Sequence, residues 1–359
     1  MIILFLSIGS LNNIKDPGVY TDLLREFQKN GHQVYVVCAR EKRWKKPTEY
    51  VEEDGVRLLR VKIGNLTKTN FIEKGISTFM VQWHFLKALK RYLGDVRFDL
   101  VLYSTPPITF EKVVRYIKKR DGAKSYLLLK DIFPQNAVDL NLFSKRTPLY
   151  WYFRWKEKNL YALSDYIGCM SKANMEFLLR KNPEISKERV EICPNSIEPL
   201  PLRKDGRRRR EIRKKYQIPP DKTVFLYGGN LGKPQGIDFL MKCLEAHKNH
   251  PSAYFLIAGS GTEFPKLKGF LEKEKLGNVR LLAQLPAREF EELAMGCDVG
   301  LLFLDHRFTV PNFPSRLLSY MQAALPVLAA TDVNTDVGRV IEEGRFGFWC
   351  ESKRVEDFH

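Results

Sequence analysis

The sequence lacks the spacings that cysteine and histidine chemistry needs. Its six cysteines, Cys38, Cys169, Cys193, Cys243, Cys297 and Cys350, stand far apart, and no Cys-x-x-Cys pair occurs. A structural zinc site or a disulfide framework depends on closely placed ligands, so buried, reduced thiols are the plainer reading. The six histidines share no motif. No Asp-x-Asp pair occurs, which removes a simple acidic clamp for a divalent cation; no metal site is expected. No apolar run approaches the roughly 18 to 20 residues that cross a bilayer. The opening MIILFLSIG has no basic segment before it and no small-residue cleavage site after it. It reads as a buried strand rather than a signal peptide, and the expected location is cytoplasmic, free or peripheral on the inner face of the membrane.

What is present is a chain of 359 residues, 44% apolar and 28% charged, long enough for two hydrophobic cores. With 59 basic against 42 acidic residues the net charge is +17. Anionic lipid, nucleic acid and phosphorylated substrates are therefore all candidate partners. The amino-terminal part opens with a βαβ pattern: IILFLSI, a helix from about Tyr20 to Lys29, then HQVYVVCA after the Asn30-Gly31 stop. Further strand candidates VRLLRVKI, FDLVLYS, SYLLLKDIF and YIGCMS alternate with helical segments near 71–93 and 109–120. Proline and basic residues then crowd the stretch from Glu198 to Asp221, with a short helix capped by Asp205. A second β/α series follows it. The expected fold class is α/β, two Rossmann-like domains, 1–200 and 201–359, facing across a cleft.

Gly228, Gly229 and Gly232 follow the strand VFLY and precede a helix, so bare amides and Lys233 are placed to approach a diphosphate. A plain tight turn explains the same letters. Gly259 and Gly261 again lie at a strand's carboxyl end, where open α/β sheets place ligands. In PNFPSRLLSYMQAALPV, Pro314 ends a loop, Ser315 reads as an N-cap and Arg316 offers a fork for phosphate oxygens; an ordinary capped helix is the alternative. Asp131 closes SYLLLKD just before Pro134, and serves either a substrate hydroxyl or a turn cap. Glu263 reads as a cap of its own helix. Gly9 and Gly18 bracket a polar loop after the first strand, an acceptor-side entrance or a surface loop.

The runs PNSIEP, YGGNLGKPQGIDFL, FLIAGSGTEF, LPAREFEELAMGCDVGLLFL and FPSRLLSYMQAALPVLA, in that order and spacing, resemble the nucleotide-binding half of glycosyltransferase family four enzymes of the GT-B fold. KDIFPQNAVDL and the segment from Ser171 extend the resemblance into the first half, and its nearest character is that of bacterial capsule and lipopolysaccharide transferases. The resemblance implies retaining transfer of a hexosyl or N-acetylhexosaminyl group from a nucleoside-diphosphate sugar, UDP-linked, to a lipid-linked or polysaccharide acceptor. It implies the donor on the second domain, the acceptor mainly on the first, and no cofactor. The family's Glu-x7-Glu pair falls here on Pro311 and Ser319, and its usual basic pair on Asn230 and Gln235. Lys233 and Arg316 are left as the cations for the leaving group. The family's carboxyl-terminal helix, which crosses back to the first domain, is expected to be missing or replaced by another closure.

Ile76, Phe79, Met80 and Trp83 share one helical face, with Lys74, Lys87, Lys90 and Arg91 nearby. Core packing is the plainer account of that stripe, and docking on an anionic membrane surface the other. The run YWYFRWKEK from Tyr150 mixes aromatics and cations in the same way. A sugar-nucleotide epimerase of the same fold, a relative that binds without catalysis, and a basic nucleic-acid-binding protein built on Arg207 to Arg210 are the competing functions. Without a helix-turn-helix, zinc finger or RNA-recognition signature, nucleic acid is not the expected partner.

Overall fold

A computed structural model describes residues 1–66, 69, 71–199 and 205–358, with the side chains of Phe71, Ile72 and Lys74 left out. The chain divides into two compact units, Met1–Ser196 and Ile197–His359. The boundary expected between 200 and 201 falls on residues outside the described set.

In the first unit the strands are β1 (Ile2–Ser7), β2 (Gln33–Glu41), β3 (Glu49–Glu53), β4 (Val56–Ile63), β5 (Leu100–Ser104), β6 (Lys124–Leu129), β7 (Tyr166–Cys169) and β8 (Val190–Ile192). Its helices are α1 (Val19–Lys29), α2 (Phe71–Tyr92), α3 (Glu111–Asp121), α4 (Gln135–Asp139), α5 (Pro148–Leu163) and α6 (Lys172–Lys181). The sheet runs β3-β4-β2-β1-β5-β6-β7-β8, parallel except for the β3–β4 hairpin at the edge. Strand β1 is a continuous apolar run because helices cover both faces of a parallel sheet; Ile3, Leu4, Phe5 and Leu6 are fully buried. The order reverses between β1 and β5, so the ends of these strands open the crevice where such sheets take ligands.

The second unit contains α7 (Gly206–Lys215), β9 (Thr223–Asn230), α8 (Ile237–Ala246), β10 (Ala253–Ser260), α9 (Phe264–Glu274), β11 (Val279–Ala283) and α10 (Ala287–Met295). It continues with β12 (Val299–Phe303), α11 (Arg316–Gln322), β13 (Val327–Thr331), α12 (Val337–Glu343) and β14 (Gly347–Glu351). All its strands are parallel, in the order β11-β10-β9-β12-β13-β14, the doubly wound order of a Rossmann sheet with its reversal between β9 and β12. One core layer gathers Phe290, Leu293, Tyr320, Val337 and Ile341 from α10, α11 and α12; the opposite layer gathers Ile237, Leu240 and Leu267 from α8 and α9.

Two expectations need correction. The stripe Ile76, Phe79, Met80 and Trp83 is not core: all four are exposed. Helix α2 carries a second apolar stripe, Val81, Phe85 and Leu89, on the opposite side, and that one is buried. The Lys74 side chain lies outside the described residues. The strand read through SYLLLKDIF ends at Leu129, before Asp131. The basic run at 207–210 is exposed on the first turns of α7, and the cap expected there is present. Asp205 caps α7 by accepting from the Arg207 amide at 2.9 Å, Arg209 pairs with Asp298, and buried Arg213 holds Asp298 at 2.6 Å.

Candidate functional site

In the second unit the reversal point is held open by glycine and a tyrosine. Strand β9 runs through both glycines to Asn230 rather than stopping before them. Gly229 has φ +123, a conformation that a Cβ would strain. At Gly228 a Cβ would stand 2.1 Å from the Phe290 ring. Where β9 and β12 diverge, Tyr320 fills the gap. Its hydroxyl lies 3.0 Å from the Leu226 carbonyl and 2.9 Å from that of Leu301, sharing one proton, and accepts from the Gly228 amide at 3.1 Å. Burial pushes this hydroxyl well above its ordinary pKa, so Tyr320 is a neutral strut.

Arg316 opens α11 and lies against the bare face of Gly229. A Cβ added to Gly229 would be 3.1 Å from an Arg316 terminal nitrogen. The guanidinium is stacked 4.3 Å above the Phe290 ring, and its other nitrogen donates to Ser319 Oγ at a long 3.4 Å. No carboxylate pairs with Arg316 among the described residues. A half-buried guanidinium oriented by an aromatic face, with its donors largely unspent, suits an incoming anion. Ser315 sits at the N-cap position, but its backbone is already helical (φ −62, ψ −20) and its side chain makes no capping bond. The expected Ser315 cap is therefore corrected. Pro314 instead closes a tight first turn, its carbonyl accepting from the Leu317 amide at 3.2 Å.

Lys233 lies in the exposed turn after β9 and has no ion-pair partner among the described residues. Asn230 and Gln235, which stand where the family's basic pair is expected, bond to each other: Asn230 Nδ2 donates to Gln235 Oε1 at 2.8 Å. The same oxygen accepts from the Gly232 amide at 3.2 Å. This amide pair closes the glycine turn. Gly259 and Gly261 also have a packing reason, since a Cβ at either would meet the Gly229 or Leu231 carbonyl at 2.1 or 2.2 Å. Glu263 makes no side-chain cap; its amide donates to the Leu231 carbonyl at 2.8 Å. After β12, Asp305 is gripped by Arg307 through bonds of 2.8 and 2.6 Å. Burial opposes ionisation there, but Arg307 holds the carboxyl below its usual range.

In the first unit Asp131 lies just past the end of β6, and its amide donates to Thr105 Oγ1 at 3.3 Å. Its carboxylate has no hydrogen-bonding or ionic partner among the described residues and is pushed up to about 6 by burial. It caps neither a turn nor α4, whose N-cap position is Pro134. Burial also pulls the neighbouring Lys130 down to about 8. Tyr20 from α1 interacts with Ser104 at the end of β5 and feels the Asp131 charge. The loop from Gly9 to Gly18 lies at the end of β1, beside this group in the sheet order. The Gly9 amide donates to Ser7 Oγ at 3.0 Å and the Gly18 amide to Asp22 at 3.0 Å. Among the described residues no three His, Cys, Asp or Glu side chains gather as metal ligands, and no helix is long and apolar enough to cross a membrane.

Sequence reasoning passed over Phe290 and Tyr320. Both are apolar letters on amphipathic helices, and nothing in the letters says that one supports an arginine and the other braces two strands. Ser260, whose hydroxyl donates to Gln284 at 2.6 Å beside the second glycine cluster, was equally silent.

Residues 19–199 match Glycosyltransferase Family 4 and residues 208–359 match Glycosyl transferases group 1. The chain is 26% identical over 289 residues to a probable glycosyltransferase, WbjE, of Pseudomonas aeruginosa, covering 79% of this chain and 69% of WbjE. Among solved structures it is similar to trehalose-6-phosphate from E. coli bound with UDP-2-fluoro glucose, with TM-score 0.71, 12% identity, and 99% and 89% of the two chains covered. It is also similar to WaaG, a glycosyltransferase involved in lipopolysaccharide biosynthesis, with TM-score 0.68, 15% identity, and 99% and 88% covered. At these identities the structural likenesses show the fold, which is that of GT-B enzymes.

Proposed function

The chain belongs to Glycosyltransferase Family 4, and from that premise we propose that it moves a hexosyl or N-acetylhexosaminyl group from a UDP-sugar to a lipid-linked or polysaccharide acceptor, with retention and without a metal. The observation that carries the donor half is Arg316 against Gly229, a cation without a carboxylate partner among the described residues, facing a backbone with no side chain to block approach. A diphosphate placed there would meet that guanidinium, and Lys233 would add its charge from the exposed turn. The structural relative bound with UDP-2-fluoro glucose supports a uridine donor. Similarity to WaaG, a glycosyltransferase involved in lipopolysaccharide biosynthesis, supports an acceptor in cell-surface glycan synthesis, and the net charge of +17 supports its handling at an anionic inner-membrane surface.

In the transfer, the bond from C1 of the sugar to the diphosphate oxygen breaks as the acceptor oxygen attacks the same face of C1. The acceptor proton passes to the departing phosphate oxygen, so no separate base is required. Arg316 and Lys233 stabilise the charge on the leaving group, while Ser319 stands where the family's carboxylate would meet the nucleotide. Asp131, half-neutral near pH 6, serves as a hydrogen-bonding partner for a sugar hydroxyl. The test is thermal stabilisation by UDP-, GDP- and CDP-sugars, with duplex DNA as the control. Stabilisation by a UDP-sugar alone is expected, whereas stabilisation by DNA and by no nucleotide would overturn the proposal.

A further inference from the structure

We propose that the outer face of α2, α3 and α5 is a docking surface for an anionic lipid bilayer. On α2, Ile76 is 62% exposed and Phe79 48%, with Met80 and Trp83 beside them. On α5, Trp151 is 64% and Trp155 54% exposed, with Tyr152 between them. The solvent face of a surface helix is ordinarily polar, and here two of them carry large apolar groups. Helix α3 packs against both. Its exposed side chains are Lys112, Arg115 and Lys119, all cationic. Lys112 stands 3.8 Å over the Trp83 ring, which joins α3 to the α2 patch. On the other side Glu111 of α3 and Lys156 of α5 form a buried pair at 3.3 Å, and Lys156 lies 4.8 Å over the Trp155 ring. The exposed apolar stripe of α2 continues along the same face into Lys87, Lys90 and Arg91.

Among the described side chains these helices expose no Asp or Glu. That absence selects the occupant. A second copy of this chain seated here would set one cationic row against another with no carboxylate to pair them. A nucleic acid would engage the cations but leave Ile76, Phe79 and Met80 in water. An anionic bilayer satisfies both chemistries, with tryptophans at headgroup depth, aliphatic side chains below them and lysines on lipid phosphates. The inference deepens the membrane part of the proposed function and rests on it. Donor binding is measured separately, so failure of one is distinguishable from failure of the other.

The experiment is sedimentation of the full chain with vesicles of phosphatidylcholine alone or with about 30% phosphatidylglycerol. Binding to the anionic vesicles only is expected, weakening with salt and accompanied by a blue shift of tryptophan emission. Lys112→Glu with Lys119→Glu should weaken partitioning about tenfold or more. Trp151→Ser with Trp155→Ser should weaken it at unchanged charge. Arg208→Glu with Arg210→Glu, which reverses the same number of charges on α7, should leave it unchanged. All these positions are exposed, and stabilisation by UDP read on each variant confirms that it is folded. Equal binding to both vesicle types, or an equal loss from the α7 variant, would overturn the proposal. So would DNA binding lost in Lys112→Glu/Lys119→Glu without any vesicle binding, or a dimer that Trp151→Ser/Trp155→Ser dissociates.

Discussion

The two units share a doubly wound parallel order, to which the first adds a strand at each edge, but they finish the carboxyl ends of their sheets in opposite ways. The second unit removes side chains there: Gly228 makes room for the Phe290 ring, Gly229 leaves bare backbone facing Arg316, and that cation has no carboxylate partner among the described residues. The first unit adds a carboxylate and keeps it partly out of water, so that Asp131 gives up its proton only near pH 6. The difference teaches that one fold presents an anion-seeking edge and an edge whose carboxyl accepts hydrogen bonds and, below about pH 6, also donates one. What decides between them is a few residues after the strands rather than the sheet itself.

The comparison can be broken first at Asp131. Its folded pKa of about 6 stands above the ordinary 3.8, so the unfolded chain releases its proton first. The cost of ionising the folded form grows as pH rises from about 4 and is complete above about 6, reaching about 3 kcal/mol. Asp131→Asn should therefore gain stability over the parent between pH 4 and 7 in urea unfolding, and a gap independent of pH would contradict the assignment. Gly228→Ala should be next in size, about 2 kcal/mol of stability, because the methyl displaces Phe290 from beneath Arg316. It should also weaken UDP binding, which a purely local packing defect would not do. Tyr320→Phe should cost about 1 to 2 kcal/mol, since the Gly228 amide loses its acceptor between diverging strands. Calorimetry showing an unchanged melting temperature would remove the tyrosine from the account. Smallest is Lys233→Ala, whose exposed ammonium should contribute less than about 1 kcal/mol to UDP affinity.

Much of the architecture was legible because alternation of buried runs and amphipathic helices is a direct imprint of a covered parallel sheet. The Asp205 cap and the glycine clusters at the strand ends could be read the same way. Orientation was not legible for α2, where two apolar stripes compete and only tertiary contact chooses Val81, Phe85 and Leu89 for the core. Nor could Ser315 be known to leave its cap unused, because the letters Pro-Ser-Arg fit a capped start and a tight helical turn alike. Asn230 and Gln235 were located by alignment with an expected basic pair, but their bond to each other depends on the turn that Lys233 and Pro234 make. The support given to Arg316 by Phe290 crosses from one helix to another, and no local pattern records it.

The central claim is that Arg316 and the open backbone at Gly229 form the seat of a nucleoside diphosphate. It is tested most directly by titrating UDP into the parent chain and into Arg316→Ala by calorimetry. Affinity about tenfold or more weaker in the variant, at unchanged thermal stability, is the expected result. Equal affinities would contradict the claim.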